Sequence, residues 1–96
     1  MTVVLVTWYK STVKQITRTQ TGVRLETRLL KVLKGLAAEL DMSLGDLIEG
    51  IVLHAFEGRR AFSPKTLKQI KMLKGVYGLD LVAGDSHKLR EVNRDG

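Results

Sequence analysis

The chain contains no cysteine. That excludes a disulfide framework and any thiolate metal site, and points to a reducing interior as its setting. Histidine is almost as scarce: His54 and His87 lie far apart in sequence, so a metal site would need distant carboxylates to complete it. No serine or cysteine partner set accompanies either imidazole to suggest a nucleophilic triad. Neither a metal, a cofactor nor an enzymatic activity is therefore expected. Long hydrophobic runs are also missing, because Val3 to Val6 is too short for a signal core or a membrane span, and no basic residue precedes it. The expectation is a cytoplasmic protein that does not enter a membrane. Repeats and low-complexity tracts are absent, and residues 1–25 contain no acid at all.

What is present is a short, basic, moderately apolar chain. Its 96 residues, 44% of them hydrophobic, make one domain at most, and so short a chain buries a smaller share of its surface than a large one. Self-association is a common remedy. Lys and Arg total 16 against 10 Asp and Glu, a net charge of +6, and the sequence pI is near 9.9. Such a balance suits a polyanion, either nucleic acid or an anionic membrane surface. The charge falls in two blocks. Lys10, Lys14, Arg18 and Arg24 form the first, and residues 57–78 carry Arg59, Arg60, Lys65, Lys68, Lys71 and Lys74 against Glu57 alone.

Between these blocks the hydrophobic periodicity changes from two to 3.6. From Thr17 to Leu25 one parity carries Thr17, Thr19, Thr21, Val23 and Leu25, and the other Arg18, Gln20, Gly22 and Arg24, the pattern of a half-buried strand. Leu29, Leu30, Leu33, Leu36, Ala37 and Leu40 then trace one stripe along a helix of about four turns, with Thr27 as its expected N-cap. Ser43 followed by Asp46 matches a capping box, with Met42 and Leu47 as a hydrophobic staple, so a second helix starts there. Its apolar face, from Leu44 to Phe56, is too wide for one neighbour to cover. Gly58 supplies a stop. Ser63 and Pro64 read as the N-cap and first residue of a third helix, which runs to about Tyr77 and ends at Gly78. After Leu81 the chain becomes a polar, mixed-charge tail.

A lone strand with one apolar face needs a partner, and pairing with a second copy across a two-fold axis supplies one. The sequence of a strand ending Val23-Arg24-Leu25, a helix carrying Leu33 and Leu36-Ala37-Ala38-Glu39-Leu40, then Met42-Ser43 and Asp46-Leu47-Ile48 resembles the ribbon-helix-helix family of bacterial, plasmid and archaeal DNA-binding proteins. The match runs from Gln20 to Phe56. The resemblance implies a mainly α fold with one β-strand, an intertwined homodimer whose strands form a two-stranded antiparallel ribbon, here with an additional C-terminal helix. It divides the chain into an arm (1–15), a DNA-binding and dimerisation domain (16–58), an amphipathic helix (59–80) and a flexible tail (81–96).

The resemblance also implies that Gln20, Gly22 and Arg24 touch base edges in the major groove. Arginine can donate twice to guanine, and glutamine can bond adenine through two atoms. Gly22 departs from the family, which usually has a polar side chain there, and this raises the importance of Arg18. A phosphate contact is implied at the second helix's start, from Ser43 and the amides of Leu44 and Gly45. The lysine row of the third helix reads first as a solubilising surface and second as supplementary contact with the DNA backbone. Trp8 and Tyr9 read as hydrophobic side chains tucked against the dimer. The expected function is a homodimeric transcriptional repressor of double-stranded DNA. The alternative is an antitoxin or other protein whose residues 59–96 bind a second protein. A lysine-faced helix on a membrane is a third reading.

Overall fold

The computed structural model describes residues 13–92. Readings that fall on residues 1–12 and 93–96, among them the Val3 to Val6 run, Trp8 and Tyr9, lie outside the described residues. Three α-helices follow in order: α1 (Thr27–Glu39), α2 (Leu44–Phe56) and α3 (Pro64–Tyr77), with one 3₁₀ turn at Ala83–Asp85.

The helix boundaries follow from local chemistry. Ser43 caps α2 by accepting a hydrogen bond on its hydroxyl from the Asp46 amide at 3.1 Å. Ser63 caps α3 in the same way through Thr66 at 3.2 Å, with Pro64 as its first residue. At α1 the cap lies one position earlier than expected: Glu26, not Thr27, accepts from the Leu29 amide at 2.8 Å. The longer carboxylate reaches the same orphan donor that a threonine hydroxyl would satisfy, so Thr27 joins the helix. Gly78 ends α3 in the left-handed region at φ 66°, where a Cβ would be strained, and lets the Leu79 amide return to the Lys74 carbonyl at 2.9 Å. Asp41 makes the corresponding turn after α1 at φ 58°, with the Met42 amide donating to Ala37 at 3.0 Å.

The expected β-strand over Thr17–Leu25, and with it the two-stranded antiparallel ribbon and the intertwined ribbon-helix-helix homodimer built on it, is not what forms. Residues 13–26 have no regular secondary structure, and the described residues contain three helices and no strand or sheet. Strand structure needs a ladder of hydrogen bonds to a neighbour, and among the described residues the regular elements beside this segment are helices. The alternation also fails to sort inside from outside: Val23, assigned to the inward face, is 75% exposed, and Arg18, Gln20 and Arg24 are exposed as well. The resemblance to the ribbon-helix-helix pattern therefore extends only to α1, the Ser43 turn and α2.

The core is small and centres on α1, which packs on both α3 and α2. Leu36, Ala37 and Leu47 form its buried cluster, with Leu33, Ile70 and Leu73 packed around it. Close approach of α1 and α3 depends on Gly35, where an added Cβ would stand 3.1 Å from Leu73 Cδ2 and 3.7 Å from Tyr77 Cε2. Arg28 ties the start of α1 to the end of α3 by donating to the Gly78 carbonyl at 2.9 Å and pairing with Asp80 at 3.1 Å. Leu79 is buried immediately beyond. Val32 and Leu79 complete the buried set, so among the described residues five hydrophobic residues are enclosed while sixteen large ones remain exposed. That ratio leaves the packing unfinished in a single copy.

Two uncovered apolar surfaces result. The first is the face of α2 bearing Val52, Leu53 and Phe56, the last 81% exposed, which is the wide face for which α1 alone provides too little cover. The second is a groove of about 760 Å³ lined by residues of all three helices and of the segments before and after them, including Val23, Leu29, Ile48, Ile70 and Leu89.

Candidate nucleic-acid interface

The segment from Val13 to Leu25, which has no regular secondary structure, is exposed throughout and carries Lys14, Arg18 and Arg24 without an acid. Its two arginines are each held by a glutamate from a different part of the fold. Arg18 makes a two-point contact with Glu49 on α2, Nε donating to Oε2 and Nη2 to Oε1, both at 2.8 Å. Arg24 makes the equivalent contact with Glu91, Nε donating to Oε1 at 3.2 Å and Nη2 to Oε2. Planar guanidinium and carboxylate groups match in this way because two parallel donors meet two oxygens.

Each pair moves the protonation equilibria of its members toward the charged forms. The hydrogen bonds from Arg18 hold the Glu49 carboxyl below the ordinary glutamate range, and those from Arg24 do the same to Glu91. Both guanidinium groups are pushed up in turn by their carboxylates. The negative charge of Asp46 adds a smaller effect on Arg18. Glu26 is also held low, chiefly by the Leu29 amide that it caps.

The candidate residues are thus only partly assembled. Arg18 is brought to α2 through Glu49, and no hydrogen bond joins it to Ser43, Leu44 or Gly45 among the described residues. Arg24 instead reaches the segment after α3. Gln20 and Gly22 are exposed between them, and a Cβ at Gly22 would meet nothing within 4 Å, so no close approach within this chain requires glycine there. At α2 the Ser43 hydroxyl is engaged as a cap, and space beside Gly45 is open. The first amides of a helix have no acceptor within it, which leaves Leu44 and Gly45 suited to an anion.

Sequence reasoning missed Glu49, Glu91 and the Arg28 clamp. Glu49 is 31 residues from Arg18 and Glu91 is 67 from Arg24, separations over which no periodicity carries information. His54 donates from Nδ1 to its own helix, at the Gly50 carbonyl, 2.7 Å away. No group of three or more His, Asp or Glu residues that could hold a metal ion occurs among the described residues. Among them, too, no helix is long and apolar enough to cross a membrane.

Comparison with family models, characterised proteins and solved structures returns no match. Functional inference therefore rests on the chain's own chemistry.

Proposed function

We propose that this protein binds double-stranded DNA as a homodimer in the cytoplasm and regulates transcription. The observation that carries the reading is the exposed, acid-free segment ahead of α1, whose Lys14, Arg18, Gln20 and Arg24 are accessible over residues 13–25. Arg18, Gln20 and Arg24 supply the base-directed groups, with Gly22 leaving space between them. Ser43 and the amides of Leu44 and Gly45 supply a phosphate contact at the start of α2. The outward lysines of α3, Lys65, Lys68 and Lys71, add backbone attraction. Dimerisation is supported by the uncovered apolar face of α2, which a second copy would remove from water.

Fluorescence-anisotropy titration against random duplex DNA at several salt concentrations, with solution mass measured alongside, tests this. The expected result is a dimer whose affinity falls steeply with salt, as counterions are released from neutralised phosphates. Arg24→Ala is expected to weaken a selected operator more than random DNA. A monomer that ignores DNA at low salt would refute the proposal.

A protein-binding role for residues 59–96 has one observation in its favour: Val82, Leu89 and Val92 are exposed after α3. Under that reading Leu89→Ser with Val92→Ser, which keep the net charge, abolishes capture of the partner and leaves DNA affinity unchanged. Loss of DNA affinity alone would count against it.

A further inference from the structure

Both arginines of residues 13–25, Arg18 and Arg24, have donors that are already occupied. Arg18 and Glu49 are 64% and 42% exposed, and Arg24 and Glu91 are 83% and 66% exposed, so a competing anion can approach all four groups from solvent. Each carboxylate presents two oxygens to the guanidinium fork, the arrangement that a phosphate or a guanine edge would also present. Among the described residues, these pairs are the side-chain hydrogen bonds that tie residues 13–25 to the rest of the fold. Arg28 differs: it is less exposed and engages a carbonyl and two carboxylates at the α1–α3 junction, which makes it a structural clamp.

We propose that Glu49 and Glu91 are autoinhibitory, occupying the guanidinium forks of Arg18 and Arg24 in the free protein so that DNA must displace both carboxylates to engage the segment ahead of α1. The inference rests on the DNA-binding reading. Displacement exchanges one charge-assisted contact for another, and exposed ion pairs are weak enough to be exchanged under ordinary salt conditions. The device sets a threshold. A lone phosphate competes poorly with a carboxylate held in place by the fold, whereas a duplex offers many phosphates at once and displaces the two glutamates together. It also links the segment's release at Arg18 to α2, which carries Glu49.

The test compares the full-length wild-type protein with Glu49→Gln, Glu91→Gln and the double variant, using fluorescence anisotropy on random duplex DNA at low and physiological salt. A Glu39→Gln/Asp41→Asn double variant makes the same change in net charge, at two carboxylates with no ion-pair partner among the described residues. Circular dichroism confirms that all variants keep their helices. Each single variant is expected to bind about threefold tighter and the double about tenfold tighter, with the control changing by less than about twofold. Binding by the double variant where wild type fails also supports the proposal. If wild type binds DNA and the double variant gains no more than the control, autoinhibition is overturned while DNA binding stands. If neither wild type nor the double variant binds at low salt, both readings fall.

Discussion

Replacing Leu36 by alanine removes the side chain at the centre of the contact between α1 and its neighbours. Leu36 is 1% exposed and shares its cluster with Ala37 and Leu47, while Leu33, Ile70 and Leu73 pack around it. Truncating a fully buried leucine costs the transfer free energy of the lost methyl groups plus a cavity term, about 3 kcal/mol in all. A chain of this size has a total stability on the order of 5–10 kcal/mol, and a core of five enclosed residues argues for the lower end. At about 4–8 °C per kcal/mol, the melting temperature should fall by about 12–24 °C. Urea denaturation followed by helical circular dichroism at fixed protein concentration gives the free energy directly. Leu53→Ala is the internal comparison: Leu53 is 64% exposed, so its loss from a single copy should cost less than about 0.5 kcal/mol. A Leu36→Ala effect below about 1 kcal/mol would refute the assignment of the core. In a dimer closed by the α2 face, the Leu53→Ala cost should increase at concentrations where wild type is dimeric.

Ser63→Ala should destabilise the protein by about 1 kcal/mol, since it removes the acceptor that satisfies the Thr66 amide at the start of α3; chemical denaturation measures the loss. Asp41 occupies the left-handed region, so Asp41→Gly should stabilise by about 0.5 kcal/mol and Asp41→Val should cost about 1 kcal/mol or more, a difference visible in paired melts. The Glu49 carboxyl, lowered by Arg18, should titrate below the ordinary glutamate range in carboxyl-carbon NMR. Because its folded value lies below its unfolded one, the contact's contribution is present above the unfolded pKa and lost as pH falls through the folded value. Arg18→Gln should return the Glu49 midpoint toward the ordinary value; an unchanged midpoint would show that the pair does not persist in solution.

Much of the helical architecture could be read locally. Ser43 and Ser63 cap the helices they were expected to cap, Pro64 opens α3, and Gly78 closes it, because each acts on donors or acceptors within a few residues of itself. The same reasoning misassigned α1's cap by one position, since a glutamate's longer side chain reaches back to the Leu29 amide from outside the helix. The Ser43–Asp46 pair shows the limit of a motif: the serine half of the capping box forms at 3.1 Å, but among the described residues the Asp46 carboxylate does not accept the reciprocal bond from the Ser43 amide.

By itself, then, the sequence determined three amphipathic helices, their boundaries to within a residue or so, and a basic, acid-free segment ahead of them. Those features arise from hydrogen bonds and side-chain spacings that span one or two helical turns. Only the tertiary structure decided that Thr17–Leu25 is not a strand, because alternation describes a side-chain pattern while a strand also requires a partner backbone. It alone decided that α1 meets α3 at Gly35, that α2 keeps an apolar face uncovered, and that Arg18 and Arg24 are engaged by Glu49 and Glu91. These contacts join residues tens of positions apart, where complementary charge and shape meet through chain folding and no repeating interval announces them.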